Sequence, residues 1–272
     1  MSNSKVSPFG YQLRRWRARS GMSQLTLASH AGTTARHLSF VETGRSRPGT
    51  ELVLRLAAAL DVPIRERNGL LRAAGLPPVY ASFALSDEAM TPVRRVLERV
   101  LSTHEPYPAW VATRGLKFLS ANRAAEKIFP GMCALSPEAI VDLWFGSGPF
   151  RDLVENWQDV VWAGIATLTR DVARDGDKAL AKLLARAKKH ALGIAPPSYE
   201  AYPDLPVICP RLRFAGRRVR TISTVMRFDT AVEVTLSELR VELMFPADDE
   251  SEAFFKQNAE VLPHVLPAGP QH

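Results

Sequence analysis

The sequence predicts a small all-α bundle of five helices, followed by a larger α+β domain with an antiparallel sheet and several helices. Three observations predict it. Apolar residues from Tyr11 to Leu76 recur at helical spacing between cap residues, with no alternating run that would make a strand. Periodicity then lapses among Pro77, Pro78 and Pro92, which sets a boundary. Beyond it, helical stripes in the middle are flanked on both sides by stretches of period two. The division is a helical domain over 8–78, a linker over 79–91 and an α+β domain over 92–265, and 272 residues suffice for two cores.

The first helix carries Leu13, Trp16 and Arg17 on one face and stops near Ser20-Gly21, where glycine can take the left-handed cap conformation. Ser23 caps the second, which runs to Ala31 with Leu27, Ala28 and Ala31 inward, and Gly32 ends it. Thr33 is the expected N-cap of the third, with Leu38 and Val41 as core residues and Gly44 as its stop. Two short helices on a tight glycine turn make a helix-turn-helix. A fourth helix begins at Pro48 and Thr50, buries Val53, Leu56, Ala57 and Leu60, and closes at Asp61-Val62-Pro63; a fifth runs from about Ile64 to Ala74.

Charge separates the two parts. The chain holds 35 Lys or Arg against 28 Asp or Glu, and residues 1–80 alone hold 12 against 4. The surplus of eight therefore sits in the first eighty residues and the remainder is −1, so the front of the chain carries the field that attracts a polyanion such as nucleic acid. Cys133 and Cys209 stand far apart with no CxxC pair, which argues against a zinc knuckle or a disulfide framework, so no metal is expected. No apolar signal core or membrane-length stretch is present, and a cytoplasmic protein is expected. HExxH, GxSxG, GxGxxG and GxxxxGK[ST] are missing, so neither an enzyme nor a cofactor is expected. Pairing Cys133 with His104 or His190 is the one imaginable nucleophile, against the commoner role of a buried thiol as a small hydrophobe.

Ser23-Gln24, Leu27-Ala28, Ala31-Gly32, Leu38-Ser39, Glu42, Gly44, Arg45 and Pro48 together resemble the phage-repressor-like (XRE) DNA-binding domain. The resemblance implies that the third helix lies in the major groove of double-stranded DNA, with Thr33, Thr34, Ala35, Arg36, Ser39 and Phe40 near base edges. Arg36 can fork onto guanine O6 and N7, for about 1 to 3 kcal/mol of discrimination. Ala35 and Phe40 offer apolar contact only. Gln24 resembles the family's phosphate-anchoring glutamine, and Arg45 and Arg47 are expected to add phosphate contacts. Arg17 and Glu42 occupy positions at which such repressors pair the first helix with the third; breaking that pair costs about 3 to 5 kcal/mol if it is buried and about 0 to 1 if exposed. A homodimer on two half-sites is implied as well.

In the second part, Thr91-Pro92 starts a helix with Val93, Val96, Leu97 and Val100 on its inner face. Ala109–Thr113 and Leu116–Ala121 read as a hairpin, followed by a helix over Asn122–Phe129. Helical stripes run through 136–192: Ile140, Leu143 and Trp144, then Leu153 to Val172, then Leu180 to Ala187. A loop with Pro196, Pro197, Pro203, Pro206 and Pro210 precedes two strands, Arg220–Phe228 and one of Leu239, Val241, Leu243 and Phe245 alternating with Arg240, Glu242 and Met244; a last helix is expected near 252–262.

Pro108-Ala109-Trp110-Val111, Asn122-Arg123-Ala124-Ala125 and Phe129 resemble the MmyB-like, PAS-like ligand-binding domain that often follows an XRE module. That resemblance implies a small hydrophobic effector, with medium-chain fatty acids as the class its members are thought to hold. The expected lining is Trp110, Phe118, Phe129, Trp144, Trp157, Trp162, Met226, Phe228 and Met244, with Asn122, Arg123 or Arg227 as polar anchor. Plain core packing is the competing role for every aromatic in that set. The competing role for the whole domain is a ligand-free dimerisation or protein-recruiting module.

Overall fold

The computed structural model describes residues 7–197, 208, 210–214 and 216–258. Cys209, Pro203, Pro206 and the expected helical residues 259–262 lie outside the described residues. The chain divides into two compact units: residues up to Phe83 group with the short segments Ala173–Asp175 and Thr230–Ser237, and the rest forms the second unit.

The first unit is a five-helix bundle: α1 (Pro8–Arg19), α2 (Gln24–His30), α3 (Ala35–Thr43), α4 (Thr50–Ala59) and α5 (Ile64–Ala73). Ser7, Ser23 and Thr34 cap the first three, each side-chain oxygen accepting a first-turn N–H. The cap of α3 is therefore Thr34 and not Thr33, whose hydroxyl instead meets His37 Nδ1 at 3.2 Å. Both threonines suit the role, and backbone geometry selects the extended one, Thr34. Leu13, Trp16, Leu27, Leu38, Val41, Val53, Leu56 and Leu70 fill one core. The α1–α3 crossing is tight at Gly10, where a Cβ would stand 2.1 Å from the Glu42 carbonyl oxygen.

Within the same unit, Asn68 on α5 holds the start of the following segment: Oδ1 accepts from Val79 N and Tyr80 N at 3.1 Å each, and Nδ2 donates to Tyr80 O. Glu233 holds its end, accepting Phe83 N at 2.8 Å together with Thr235 N and Leu236 N. Val234 N donates to Ala81 O. Burial opposes the charge of Glu233, yet the backbone donors of Leu236, Thr235 and Phe83 keep its carboxyl below its ordinary pKa. The 231–237 stretch is thus a clasp on residues 81–83.

The second unit is α+β and PAS-like. It opens with α6 (Thr91–Thr103) and the hairpin β1 (Ala109–Thr113) and β2 (Phe118–Ala121). The helices α7 (Arg123–Ile128), α8 (Pro137–Phe145), α9 (Pro149–Leu153), α10 (Trp157–Asp175) and α11 (Lys178–His190) follow. Then come β3 (Arg211–Phe214), β4 (Arg217–Met226), β5 (Leu239–Pro246) and α13 (Asp249–Asn258), whereas α12 (Val234–Glu238), between β4 and β5 in the chain, groups through Ser237 with the first unit. The strands form one sheet in the order β2-β1-β5-β4-β3, antiparallel throughout.

Two expectations change. The C-terminal strands are three rather than two, because Leu212 and Phe214 alternate inward between Arg211 and Arg213; four residues after a proline are too few to show a period. On the inner face of α6, Leu97 is buried as expected and Val93 and Val100 are half-buried, whereas Val96 is 49% exposed and Leu101 completes the stripe in its place.

Candidate nucleic-acid interface and ligand-domain cavity

In the first unit, α3 buries Leu38, Val41 and Glu42 and turns its other face outward. Arg36 and His37 are exposed in its first turn, Thr34 is exposed at its cap, and Thr33, Ala35, Ser39 and Phe40 are half-buried. The Arg36 guanidinium lies over the Phe40 ring at 5.5 Å, a cation–π contact that orients it along the helix surface. His37 is the residue of this face that sequence reasoning passed over; its place at the third helical position, beside Arg36, was the available signal. Gly44, at φ 77°, ends α3, and Arg45 and Arg47 stand exposed just beyond.

Glu42, 1% exposed, organises the underside of this surface. Its Oε1 accepts from Arg17 Nε at 2.7 Å, and its Oε2 accepts from Arg17 Nη2 at 3.1 Å and Gln24 Nε2 at 2.7 Å. Arg14 donates to the Glu42 carbonyl at 2.8 Å, and Arg17 also reaches Met22 O. The hydrogen bond to Glu42 raises the Arg17 pKa against the opposing effect of burial. One carboxylate therefore ties α1, α2 and α3 together, and Gln24, the first residue of α2, keeps one amide N–H and its carbonyl oxygen for other use.

In the second unit, the expected lining residues fall into two groups. Trp110, Phe118, Trp144 and Phe129, joined by Phe150, which was not among those expected, form a closed circuit of ring contacts, with centroids 5.3 to 6.3 Å apart. Trp157 joins them by donating its indole N–H to Trp144 O at 2.9 Å, Trp162 packs against the same cluster, and Met244 belongs to it. Met226 does not. It pairs with Val241, which pairs with Val111, and this puts it on the opposite sheet face from Trp110. Phe228 follows the end of β4 and is half-buried outside this cluster.

Asn122 is a structural residue. Its Oδ1 caps α7 through Ala125 N and accepts Ala109 N, both at 3.0 Å, while Nδ2 donates to Leu101 O and Tyr107 O. Such a fully used amide has little left for a ligand. Arg123 is exposed at the start of α7, and Arg227 is exposed just past β4.

Charged groups occupy the helix-covered face of the sheet, where the alternation of β5 places Arg240 and Glu242 in register with Ala112 and Trp110. Helices cover one side of the sheet and α6 covers β1 on the other, so both parities of β5 are largely enclosed. Arg240 pairs with Asp171 at 2.6 Å, each about 10% exposed. Burial pushes the Glu242 carboxyl up, against the attraction of Arg240.

The thiol-histidine pairing is not formed. Burial raises the Cys133 thiol pKa, which favours the protonated form; His104 meets Met244 O at 2.9 Å, and His190 meets Asp142 at 2.8 Å. Among the described residues no group of three or more His, Cys, Asp or Glu could hold a metal ion, and no helix is long and apolar enough to cross a membrane. A cavity of about 430 Å³ opens between α6, β2 and the start of α7, walled by residues that include Arg94, Leu97, Glu98 and Arg123.

Two family models match the sequence. A helix-turn-helix domain covers residues 8–70, and the MmyB-like transcription regulator ligand binding domain covers residues 93–257. No curated protein sequence matches the chain.

Proposed function

The chain belongs to the family of MmyB-like transcription regulators, and from that premise we infer that this DNA-binding regulator reads a specific operator by seating α3 in the major groove as a homodimer. The observation that carries the reading is the outward face of α3, where Arg36 stands exposed beside its cap while Glu42 fixes the helix from below. Arg36 is the reader of guanine, with Thr33, Thr34, Ala35, Ser39 and Phe40 shaping the fit to its neighbours. Gln24, Arg45 and Arg47 hold phosphates: Gln24 keeps one N–H for the backbone after donating the other to Glu42. A regulator of this kind works in the cytoplasm, beside its operator.

Selection of bound sequences from a random duplex pool tests the reading. Wild-type protein should return a two-fold symmetric site with a guanine in each half. Arg36→Ala should lose discrimination at that guanine by about 1 to 3 kcal/mol while keeping non-specific binding. If the variant returns the same site as the parent, the reader assignment is wrong.

For the second domain the reading is an effector that is small and hydrophobic, a medium-chain fatty acid, since each buried methylene contributes about 0.8 kcal/mol. Trp110, Phe118, Phe129, Trp144, Trp157 and Trp162 form its apolar surroundings. The closed circuit of five rings favours the second reading, a packed dimerisation or recruiting module without a ligand. Denaturing extraction and mass spectrometry of the purified protein separate the two: a reproducible stoichiometric lipid supports the sensor, and an empty protein the module.

A further inference from the structure

We propose that the cavity between α6, β2 and α7 binds a free α-amino acid with an apolar side chain, its carboxylate at Arg94 and its ammonium at Glu98. This goes beyond the effector reading above and does not depend on a lipid in the domain interior. The volume of about 430 Å³ falls within the range of about 300 to 1,000 Å³ usual for small-molecule sites.

The charges select the class of ligand. Arg94 donates Nη1 to Leu85 O at 2.6 Å and to Asp87 O at 2.7 Å, and Nη2 to Thr91 Oγ1 at 2.7 Å. All three acceptors are neutral, so the cation is fixed in place without being neutralised, and two of its five N–H groups remain for an anion. Glu98 lies one turn further along α6 and, among the described residues, makes no ion pair. The other acid of the wall, Glu105, accepts Arg123 N at 2.7 Å and Ala124 N at 3.4 Å through Oε1, which ties it to the start of α7. Glu98, one turn from Arg94 on α6, is the carboxylate placed to receive the ammonium.

Leu85, Leu97 and Leu101 give the wall its apolar part, Leu97 and Leu101 being 3% and 7% exposed in the surrounding fold, and Ser102, Ser120, Asn122 and Arg123 line the rest. A simple fatty acid would satisfy Arg94 but set a chain of methylenes against the Glu98 carboxylate. A zwitterion with an aliphatic or aromatic side chain meets all three features, because its opposite charges are separated by about the length of one residue backbone.

Calorimetric titration of the full chain with L-leucine, L-phenylalanine, 4-methylpentanoate, 3-methylbutylamine and decanoate tests this. Saturable binding of leucine or phenylalanine is expected, with the acid lacking the amine and the amine lacking the acid each at least about tenfold weaker. Glu98→Gln should weaken leucine about tenfold while 4-methylpentanoate binds no more weakly than to the parent. Ser102→Trp, at an exposed wall position, should close the cavity to both. Unchanged thermal melting would show that both variants fold. The proposal is overturned if neither amino acid saturates, if both variants bind leucine as the parent does, or if decanoate alone binds and is blocked by Ser102→Trp. A lipid recovered on extraction bears on the earlier reading and leaves this one to the titration.

Discussion

Single carboxylates set the local chemistry in both units. Glu42 accepts hydrogen bonds from two side chains on other helices, which compensates its burial and explains how a charged residue sits 1% exposed among Leu38 and Val41. Asp142 does comparable work nearer the surface. Arg186 binds it through both oxygens, and that bond, opposed by burial and assisted by His190, lowers its pKa from 3.8 to about 2. A carboxyl depressed in the folded state stabilises fully above its unfolded value and loses that contribution as pH falls through the folded one. Acid titration of stability should therefore show a component between pH 3.8 and about 2 that joins α8 to α11. Asp142→Asn should remove that component while leaving the rest of the acid transition in place. An identical acid transition in the variant would rule out this assignment.

Helices and strands meet where small residues or caps allow it. Glycine inside a helix costs about 1 kcal/mol relative to alanine, so helix propensity alone favours Gly10→Ala in α1. The packing decides otherwise, because the new Cβ would lie 2.1 Å from the Glu42 carbonyl and neither backbone can yield without moving α1 away from α3. The expected net effect is a loss of about 1 to 3 kcal/mol, of the size of overpacking in other cores. Amide hydrogen exchange should show faster opening of α1 and α3, with the second unit as in the parent; unchanged exchange would mean that the crossing relaxes. Gly164 plays a similar part in α10, where a Cβ would stand 2.8 Å from Phe145 Cζ. The clasp at Glu233 is the corresponding device for irregular chain: a carboxylate oriented by Thr235 N and Leu236 N of its own turn also accepts Phe83 N, and fixes that segment without any strand or helix there.

At the scale of the whole molecule, charge asymmetry is the working property. The first eighty residues carry 12 Lys or Arg against 4 Asp or Glu, and the remainder is close to neutral, so attraction to DNA belongs to the five-helix unit. Each neutralised phosphate contributes about 0.9 to the slope of log affinity against log salt. Replacing both Arg45 and Arg47 with alanine should lower that slope by about 2 and weaken binding to all sequences alike. A slope equal to that of the parent would place these arginines away from the backbone. Sedimentation of the free and DNA-bound protein tests the proposed homodimer, since two chains are expected in the complex on one two-fold site and a single chain would overturn it.

Sequence alone determined the five-helix unit with its helix-turn-helix, the hairpin after α6, the helical middle and the antiparallel strands that follow. It could do so because caps, turn glycines and hydrophobic period are local properties, legible within a few residues at Ser23, Gly44 or Pro92. Tertiary structure decided everything that depends on residues distant in the chain. It separated Met226 from Trp110, made Asn122 a cap, and brought Arg240 and Asp171 together under cover. It drew Glu233 to Phe83 across 150 positions and opened a charged cavity beside α6. Period two tells which residues share a face but not which face is covered, and no local pattern states which distant carbonyl or carboxylate will meet a given donor.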